Sequence, residues 1–335
     1  MPAESPNLTN RPSYFLISVS TRENLELCVK YALAGFPSGE SGAWTYCEIQ
    51  EGDFVSFLYG AKAHNLYKVA KRESVADAEH LPPWKLLTFK ESGKTYSFPF
   101  RLQLQPVRTF VESIVRNEFF YVAENLLLRG GYRKTHFQAD QTTLQSVSEM
   151  GTLADGSAAA LSLPAYTTFT LRFTRTSGLL KVPETFRFRE TILQSALRRH
   201  LMSDENLQLL LSRIKLETVL AEELEVLGEK ALTQGHIDLL LKQRVPIGSS
   251  LKIPIEVKTA KANLGDLAQL RGYMDELLGE CPSGILIAAD FSKDTVRNAY
   301  PNKIYLFRYA LKSDLKKANT FEEICASISL ELLEK

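Results

Sequence analysis

The chain has 335 residues, 44% of them hydrophobic, and a formal net charge of +1 at pH 7. A chain of this length is too long for one ordinary hydrophobic core and suits two domains. Its hydrophobic content argues against extensive disorder. The balanced charge excludes a polycation, so any affinity for nucleic acid must come from local basic patches.

The cysteine pattern favours a reducing, cytoplasmic setting. The four cysteines form neither a CxxC pair nor a Cys/His cluster, which argues against a zinc site and a disulfide framework. Residues 1–13 are polar and have no apolar segment, so we expect a disordered N-terminus and no signal peptide. No apolar run is long enough to cross a bilayer, and no membrane partner is expected. The cysteines are Cys28, Cys47, Cys281 and Cys325.

Residues 14–145 have the pattern of a small mixed domain. Residues 14–19 (YFLISV) predict a buried strand, and residues 23–33 carry apolar side chains at helical spacing. Further strands are predicted at 53–59, 66–70 and 94–104, and a helix at 119–128 that ends at Gly130 and Gly131. Short strands with helices between them favour a small β-barrel with helices.

A change of composition separates this half from the next. Residues 146–165 are rich in Ser, Ala and Gly, which predicts an inter-domain linker before a second domain at 166–335. Residues 166–175 predict a strand, and residues 166–199 hold seven basic and two acidic side chains with phenylalanines among them. This pattern fits a solvated basic face and a phosphate-contacting surface equally well. The candidate phosphate contacts are Arg172, Arg175, Arg187 and Arg189.

The most informative stretch is a predicted hairpin. Residues 235–241 (GHIDLLL) and 253–258 (IPIEVK) both predict strands, joined by a turn-rich connection. Period-two alternation puts Glu256 and Lys258 on one face, and pairing of the strands can bring Asp238 close to them. Two carboxylates and an ammonium group would then meet at one end of a sheet.

That grouping suits hydrolysis of a phosphodiester. Carboxylate oxygens bind Mg²⁺ well, with Mn²⁺ as a substitute, and the ion can stabilise charge on the phosphate. A lysine beside it can position the nucleophile or neutralise the oxyanion. The other interpretation is an inert ion-pair network, which can mimic such a site.

Two predicted helices add polar groups to this stretch. Residues 264–278 predict a helix on which Gln269 and Tyr273, four residues apart, are neighbours. Glu190 opens a helical stretch and shares its inward face with Leu193 and Leu197, where a carboxylate costs free energy unless it meets a cation or another partner. Buried strands are predicted at 284–289 and 303–309.

Residues 190–309 resemble the PD-(D/E)xK nuclease superfamily, in particular its RecB-like and mismatch-nuclease branches. The resemblance lies in Asp238 of GHIDLLL, in Glu256-Val257-Lys258, in Gln269-Leu-Arg-Gly-Tyr273 and in Glu190. It implies a mixed sheet flanked by helices, metal held by Asp238, Glu256 and the Val257 carbonyl, and Lys258 as the catalytic lysine. Gln269 and Tyr273 would line the site. The Pro-Asp dipeptide of the superfamily's name is absent, and His236-Ile237 precedes Asp238 instead. We expect His236 to be structural or to face substrate.

Residues 14–145 resemble the YTH/EVE branch of the PUA-like fold, most clearly in YFLISVSTRENLELCVKYAL. This implies a domain that holds a flipped modified base in an aromatic cage. Asn24 matches the asparagine at the base edge, or it is a helix N-cap. The position of the first cage tryptophan is Ala34. The remaining candidates for the base pocket are Trp44, Trp84, Phe100 (or Phe98) and Asp140, the aromatic ones being equally compatible with a core.

Together the halves predict a modification-dependent DNA endonuclease acting on double-stranded DNA that carries a modified base. Because metal-assisted cleavage has little base specificity, recognition would belong to the N-terminal half. Cutting both strands usually needs two active sites, so we expect a homodimer, at least on DNA. The alternatives are a structure- or mismatch-specific repair nuclease and a non-catalytic reader of modified nucleic acid.

Overall fold

The computed structural model describes residues 11–60, 62–88, 93–110, 114–115, 135–156, 158–232 and 235–333. The predicted helix at 119–128 lies outside these ranges. None of the described helices is long and apolar enough to cross a membrane. The helices are α1 (Arg22–Tyr31), α2 (Glu40–Glu48), α3 (Gln141–Ser148), α4 (Glu190–Leu201), α5 (Asp204–Arg213), α6 (Leu264–Leu277), α7 (Lys293–Ala299) and α8 (Phe321–Ser327).

The strands of the N-terminal half form one mixed sheet in the order β10-β7-β4-β3-β1-β9, where β1 and β3 are parallel. Strand β2 also pairs with β7, β8 pairs with β4, and β5 with β6 forms a separate hairpin. The strands are β1 (Tyr14–Ser18), β2 (Leu33–Phe36), β3 (Phe54–Tyr59), β4 (Lys62–Ser74), β5 (Leu87–Thr88), β6 (Thr95–Tyr96), β7 (Phe100–Thr109), β8 (Ile114–Val115), β9 (His136–Ala139) and β10 (Thr152–Leu153).

The C-terminal half is a six-stranded mixed sheet in the order β13-β14-β15-β16-β17-β19, with a small sheet β12-β11-β18 beside it. Strands β15, β16 and β17 run parallel. The strands are β11 (Arg172–Thr174), β12 (Thr185–Arg187), β13 (Leu224–Leu232), β14 (Gly235–Gln243), β15 (Lys252–Ala262), β16 (Gly284–Phe291), β17 (Ile304–Leu311), β18 (Asn319–Thr320) and β19 (Ile328–Leu332).

Helices cover both faces of this sheet because its strands are apolar on both sides. Leu239 and Ile255 pack in a core cluster with α4, whereas Leu240 and Leu286 belong to a cluster that contains α6. The predicted α/β fold class, with a mixed sheet flanked by helices, is confirmed. The predicted small barrel is not closed: within the described residues, β10 and β9 lie at opposite edges of an open sheet.

Buried contacts join the two halves. One hydrophobic cluster runs from Phe15 and Phe57 in the N-terminal sheet to Leu193 and Leu197 on α4. The predicted linker, 146–165, contains the end of α3 and strand β10, which pairs with β7. Residues 11–13 were expected to be disordered, but the Arg11 side chain donates to Asp204 on α5 over 2.9 Å.

Candidate active site

The hairpin of β14 and β15 brings Asp238 and Glu256 to one end of the C-terminal sheet. Its antiparallel register sets Leu239 opposite Ile255, and the pairing stops there. One step further, the Val257 N–H donates to Asp238 Oδ2 over 2.7 Å. The carboxylate of Asp238 is therefore fixed by the backbone of the strand that carries Glu256. The predicted hairpin and its alternation are confirmed.

Glu256 is the most deeply buried acidic group of the site. Its residue is 1% exposed, and Lys258 Nζ lies 2.7 Å from Oε1. Among the described residues, this ammonium is the group that meets the carboxylate, and no other donor is hydrogen-bonded to either oxygen. Burial raises the pKa of Glu256, although the Lys258 charge opposes the change. A buried carboxylate is costly unless cations or donors meet it, and the single contact with Lys258 leaves Oε2 open to a further cation.

Lys258 and Glu190 close the site from the other side. Lys258 Nζ is 3.5 Å from Glu190 Oε1, and Glu190 Oε2 accepts the backbone N–H of Thr259 over 3.2 Å. Glu190 is the first residue of α4, so this bond attaches the helix to β15, the strand that carries Glu256 and Lys258. Burial lowers the pKa of Lys258, but the charges of Glu256, Asp238 and Glu190 outweigh it and raise the pKa. Lys258 is therefore a cation at neutral pH.

The two central carboxylates are crowded. Burial first, and then the neighbouring Glu256 carboxylate, raises the pKa of Asp238 well above its usual value. A divalent cation between Asp238 and Glu256 would offset both the free-energy cost of burying the two carboxylates and their mutual repulsion.

The donor set fits Mg²⁺ in its usual mode of binding. Within the described ranges, no three His, Cys, Asp or Glu side chains are close enough to hold a metal ion by themselves. Mg²⁺ commonly takes only one or two carboxylates and completes its shell with waters and substrate phosphate. Asp238 and Glu256 supply two such carboxylates, and Glu256 Oε2 has no partner among the described residues.

Tyr273 braces the strand that carries Asp238. Its hydroxyl accepts the His236 backbone N–H over 3.1 Å and the Gln269 amide N–H over 2.6 Å. An Asn263–Asp266 capping box fixes the residue at which α6 begins. On this helix Tyr273 is buried and Gln269 is exposed. The predicted pair is therefore together on one face, and it contacts the start of β14.

Tyr309 supports strand β15 through a contact that the sequence did not indicate. The Tyr309 hydroxyl on β17 donates to the Thr259 carbonyl over 2.9 Å, and Arg175 lies 3.5 Å from that hydroxyl. The parallel register of β15 and β16 is also broken just after Lys258, and such irregularities are common next to active sites. These contacts join residues distant in sequence, so no local pattern announces them.

The four arginines predicted to contact DNA are all exposed, and Phe173, Phe186 and Phe188 lie buried beside them. Both earlier interpretations agree with this arrangement, and phosphate contact stays a prediction. Three of the arginines, Arg172, Arg187 and Arg189, donate to the Ala318 carbonyl, Ser177 and Glu40, respectively.

Two of the residues predicted to form a base pocket, Trp84 and Phe100, lie in the hydrophobic core. Phe100 is fully buried in the core, and Trp84 is buried against Phe98, with ring centroids 5.6 Å apart. No room is left above Trp84, because a Cβ on Gly35 would lie 2.4 Å from its ring. Aromatic residues of a core and of a cage share the same local pattern, and here the core explanation is correct.

The other three pocket candidates have separate surroundings. Asp140 caps α3 and accepts from Lys242 Nζ over 2.6 Å. Asn24 lies on α1, whose N-cap is Thr21 and not Asn24. Trp44 packs edge-on against His136, 4.8 Å between centroids, and lines a narrow space that also touches Asp238. That space holds about one water molecule, far less than a base.

Comparisons with known proteins add only distant similarities. No protein-family model matches the chain, and no curated protein matches it. A repair endonuclease from Pyrococcus abyssi is similar at 20% identity and a TM-score of 0.23, over 30% of this chain and 43% of that one. This chain thus spans less than half of the endonuclease. Protein Atu2648 from Agrobacterium tumefaciens is similar at 12% identity and a TM-score of 0.25, over 44% of this chain and 99% of that one. At these TM-scores neither similarity supports an argument about function.

Proposed function

We propose that the protein is a Mg²⁺-dependent endonuclease that hydrolyses the phosphodiester backbone of DNA. The observation that carries this proposal is the convergence of Asp238, Glu256 and Lys258 where the β14–β15 pairing ends, with the Glu256 carboxylate buried and met, among the described residues, by Lys258 alone at Oε1. An inert ion-pair network would be expected to satisfy Oε2 as well.

Each residue has a distinct role in this reaction. Asp238 and Glu256, with the Val257 carbonyl, would hold the ion, which supplies Lewis-acid stabilisation of charge on the phosphate. Lys258, held as a cation, neutralises negative charge on the phosphoryl oxygens as water adds to phosphorus. The phosphorus–oxygen ester bond then breaks, and the leaving oxygen takes a proton that the water gives up. Glu190 fixes Lys258 and Thr259, and so positions β15.

The finer proposal is that cleavage depends on a modified base in double-stranded DNA, read by the N-terminal half. It follows from the resemblance of residues 14–145 to modified-base readers. The repair-nuclease alternative differs by requiring distorted duplex instead, and a non-catalytic reader would bind without cutting.

The test is cleavage of unmethylated, adenine-methylated and cytosine-methylated plasmids with Mg²⁺, with Mn²⁺ and with a chelator. We expect Lys258→Ala to lose roughly a hundredfold or more of the rate, as when a group that stabilises transition-state charge is removed. The matched control is Lys261→Ala, an exposed lysine on the same strand, which should cut normally.

The outcomes separate the proposals. Cutting of one methylated plasmid alone supports modification dependence and identifies the base. Equal cutting of all three contradicts it and favours the repair nuclease. If no substrate is cut with either metal, or if Lys258→Ala cuts as fast as the native protein, the nuclease proposal is wrong.

A further inference from the structure

A cavity of about 330 Å³ opens where three parts of the chain meet. Its walls are α2 and β4 of the N-terminal half, residues 168–171, and the start of α8. None of the active-site residues and none of the predicted base-pocket residues lines it. The volume lies within the range of small-molecule sites, about 300–1,000 Å³.

Of the three aromatic residues that line this cavity, two are partly exposed and are held from behind by the core. Tyr46 and Phe169 are partly exposed, and both pack on the buried Phe100, at centroid distances of 5.4 and 6.1 Å. The Arg72 guanidinium lies 4.4 Å from the Tyr46 ring centre. Because Arg72 and Phe100 both pack on the Tyr46 ring, the partly exposed Phe169 ring is the stacking surface for a nucleobase, beside Tyr46.

The polar groups of the cavity have hydrogen-bonding capacity to spare. Arg72 donates to Gln50 Oε1 over 2.7 Å and to the Tyr46 carbonyl, while its buried Nε–H has no acceptor within the described residues. Lys71 is exposed and pairs with Glu73 over 3.0 Å. Because the Arg72 Nε is shielded from solvent, a donor that a ligand can reach is the exposed Lys71 ammonium, from which a phosphate could accept.

The charge of the lining limits the ligand. Lys71 and Arg72 are balanced by Glu73 and Glu322. A balanced site has no surplus positive charge for a polyphosphate, but it tolerates a single phosphate or phosphodiester next to Lys71.

We propose that this cavity binds one nucleoside monophosphate unit, with the base stacked on Phe169 beside Tyr46 and the phosphate near Lys71. A nucleotide turned out of DNA and a free nucleotide share this chemistry. The DNA source rests on the proposed nuclease function, whereas binding of the unit itself does not. Because the walls come from both halves, an occupied cavity links the N-terminal sheet to α8 in the C-terminal half.

Binding is measured first by calorimetry with dAMP and dCMP in the presence of a chelator, so that cleavage plays no part. We expect both to bind, and deoxyribose 5-phosphate, which lacks the base, to bind roughly tenfold or more weakly because it cannot stack. Phe169→Leu keeps apolar volume and removes the ring, and should cost a similar factor. Lys71→Ala should weaken binding of both nucleotides, whereas the control Lys68→Ala, an exposed lysine on the same strand outside the cavity, should not.

Duplex DNA that contains 2-aminopurine, bound to the Lys258→Ala protein, distinguishes a nucleotide turned out of DNA from a free nucleotide. A fluorescence rise that Phe169→Leu abolishes identifies an extruded nucleotide as the ligand. Binding of dAMP without that rise identifies a free nucleotide instead. The proposal is overturned if neither dAMP, dCMP nor the duplex binds, or if the Phe169→Leu and Lys71→Ala proteins bind all of them as tightly as the native protein.

Discussion

Gly235 determines how closely the Tyr273 hydroxyl can approach the start of β14, the strand that carries Asp238. Gly235 has a φ of +154°, and a Cβ at this position would lie 2.8 Å from the Tyr273 hydroxyl oxygen. That hydroxyl accepts the His236 N–H two residues before Asp238. The absence of a side chain at 235 is therefore a condition for the position of Asp238.

Gly235→Ala should displace Tyr273 and with it the start of β14. We expect a loss of about 1–3 kcal/mol of folding stability from the strained backbone, and a drop in cleavage rate of roughly ten- to a hundredfold, since small misplacements of catalytic groups are costly. Urea unfolding and single-turnover cleavage measure the two effects. Gly279→Ala is the control, because a Cβ there meets nothing within 4 Å. Equal behaviour of the two variants would count against the brace.

At the scale of elements, the sequence predicted what depends on local periodicity. Strands β14 and β15 alternate cleanly, so the face shared by Glu256 and Lys258 could be predicted, and α6 placed Gln269 beside Tyr273. The aromatic residues of the N-terminal half could not be assigned in this way, because alternation gives the face of Phe100 but not whether that face is covered. The contact of Tyr309 with Thr259 could not be predicted from local periodicity, because the two residues are 50 positions apart.

Helix α4 shows how one element serves both the fold and the site. Glu190 at its start holds Lys258 and Thr259, while Arg198, two turns later, is 2% exposed and anchors the helix to α2. Arg198 Nε is 2.6 Å from Glu48 Oε2, and a second nitrogen donates to the Glu48 carbonyl over 2.8 Å.

Arg198→Met should destabilise the protein by about 3–5 kcal/mol, because it leaves the buried Glu48 carboxylate without its cation. The double variant Arg198→Met, Glu48→Gln removes that unpaired charge and should recover part of the loss. Urea unfolding of the two single variants and the double variant gives the coupling energy. A double variant no more stable than Arg198→Met alone would contradict a role for the charge.

For the whole molecule, the junction of the halves contains a second buried cluster of charges. Lys242 Nζ on β14 is 2.6 Å from Asp140 Oδ2 and 3.5 Å from Glu225 Oε1 on β13. Although burial opposes it, the Lys242 charge lowers the pKa of Asp140. Burial raises the pKa of Glu225 to about 7, and its Oε2 accepts the Gln141 N–H over 2.9 Å. The Lys242 charge therefore stabilises mainly the Asp140 carboxylate, and Glu225 holds its proton to a higher pH than a free glutamate does.

The sign of the resulting pH dependence follows from Glu225. The unfolded chain releases this proton near pH 4.5 and the folded chain near pH 7. The contribution of Glu225 to the free energy of unfolding is therefore fully present below about pH 4.5 and is lost as the pH rises to about 7. Glu225→Gln mimics the neutral acid and keeps an acceptor for Gln141. Its advantage over the native protein should grow across this window to at most about 3 kcal/mol and stay level above it. Urea unfolding at pH 5, 6, 7 and 8 measures this difference, with the exposed Glu223→Gln as control. A difference that does not change with pH would mean that Glu225 is ionised in the folded protein, and that Lys242 holds both carboxylates of the junction together.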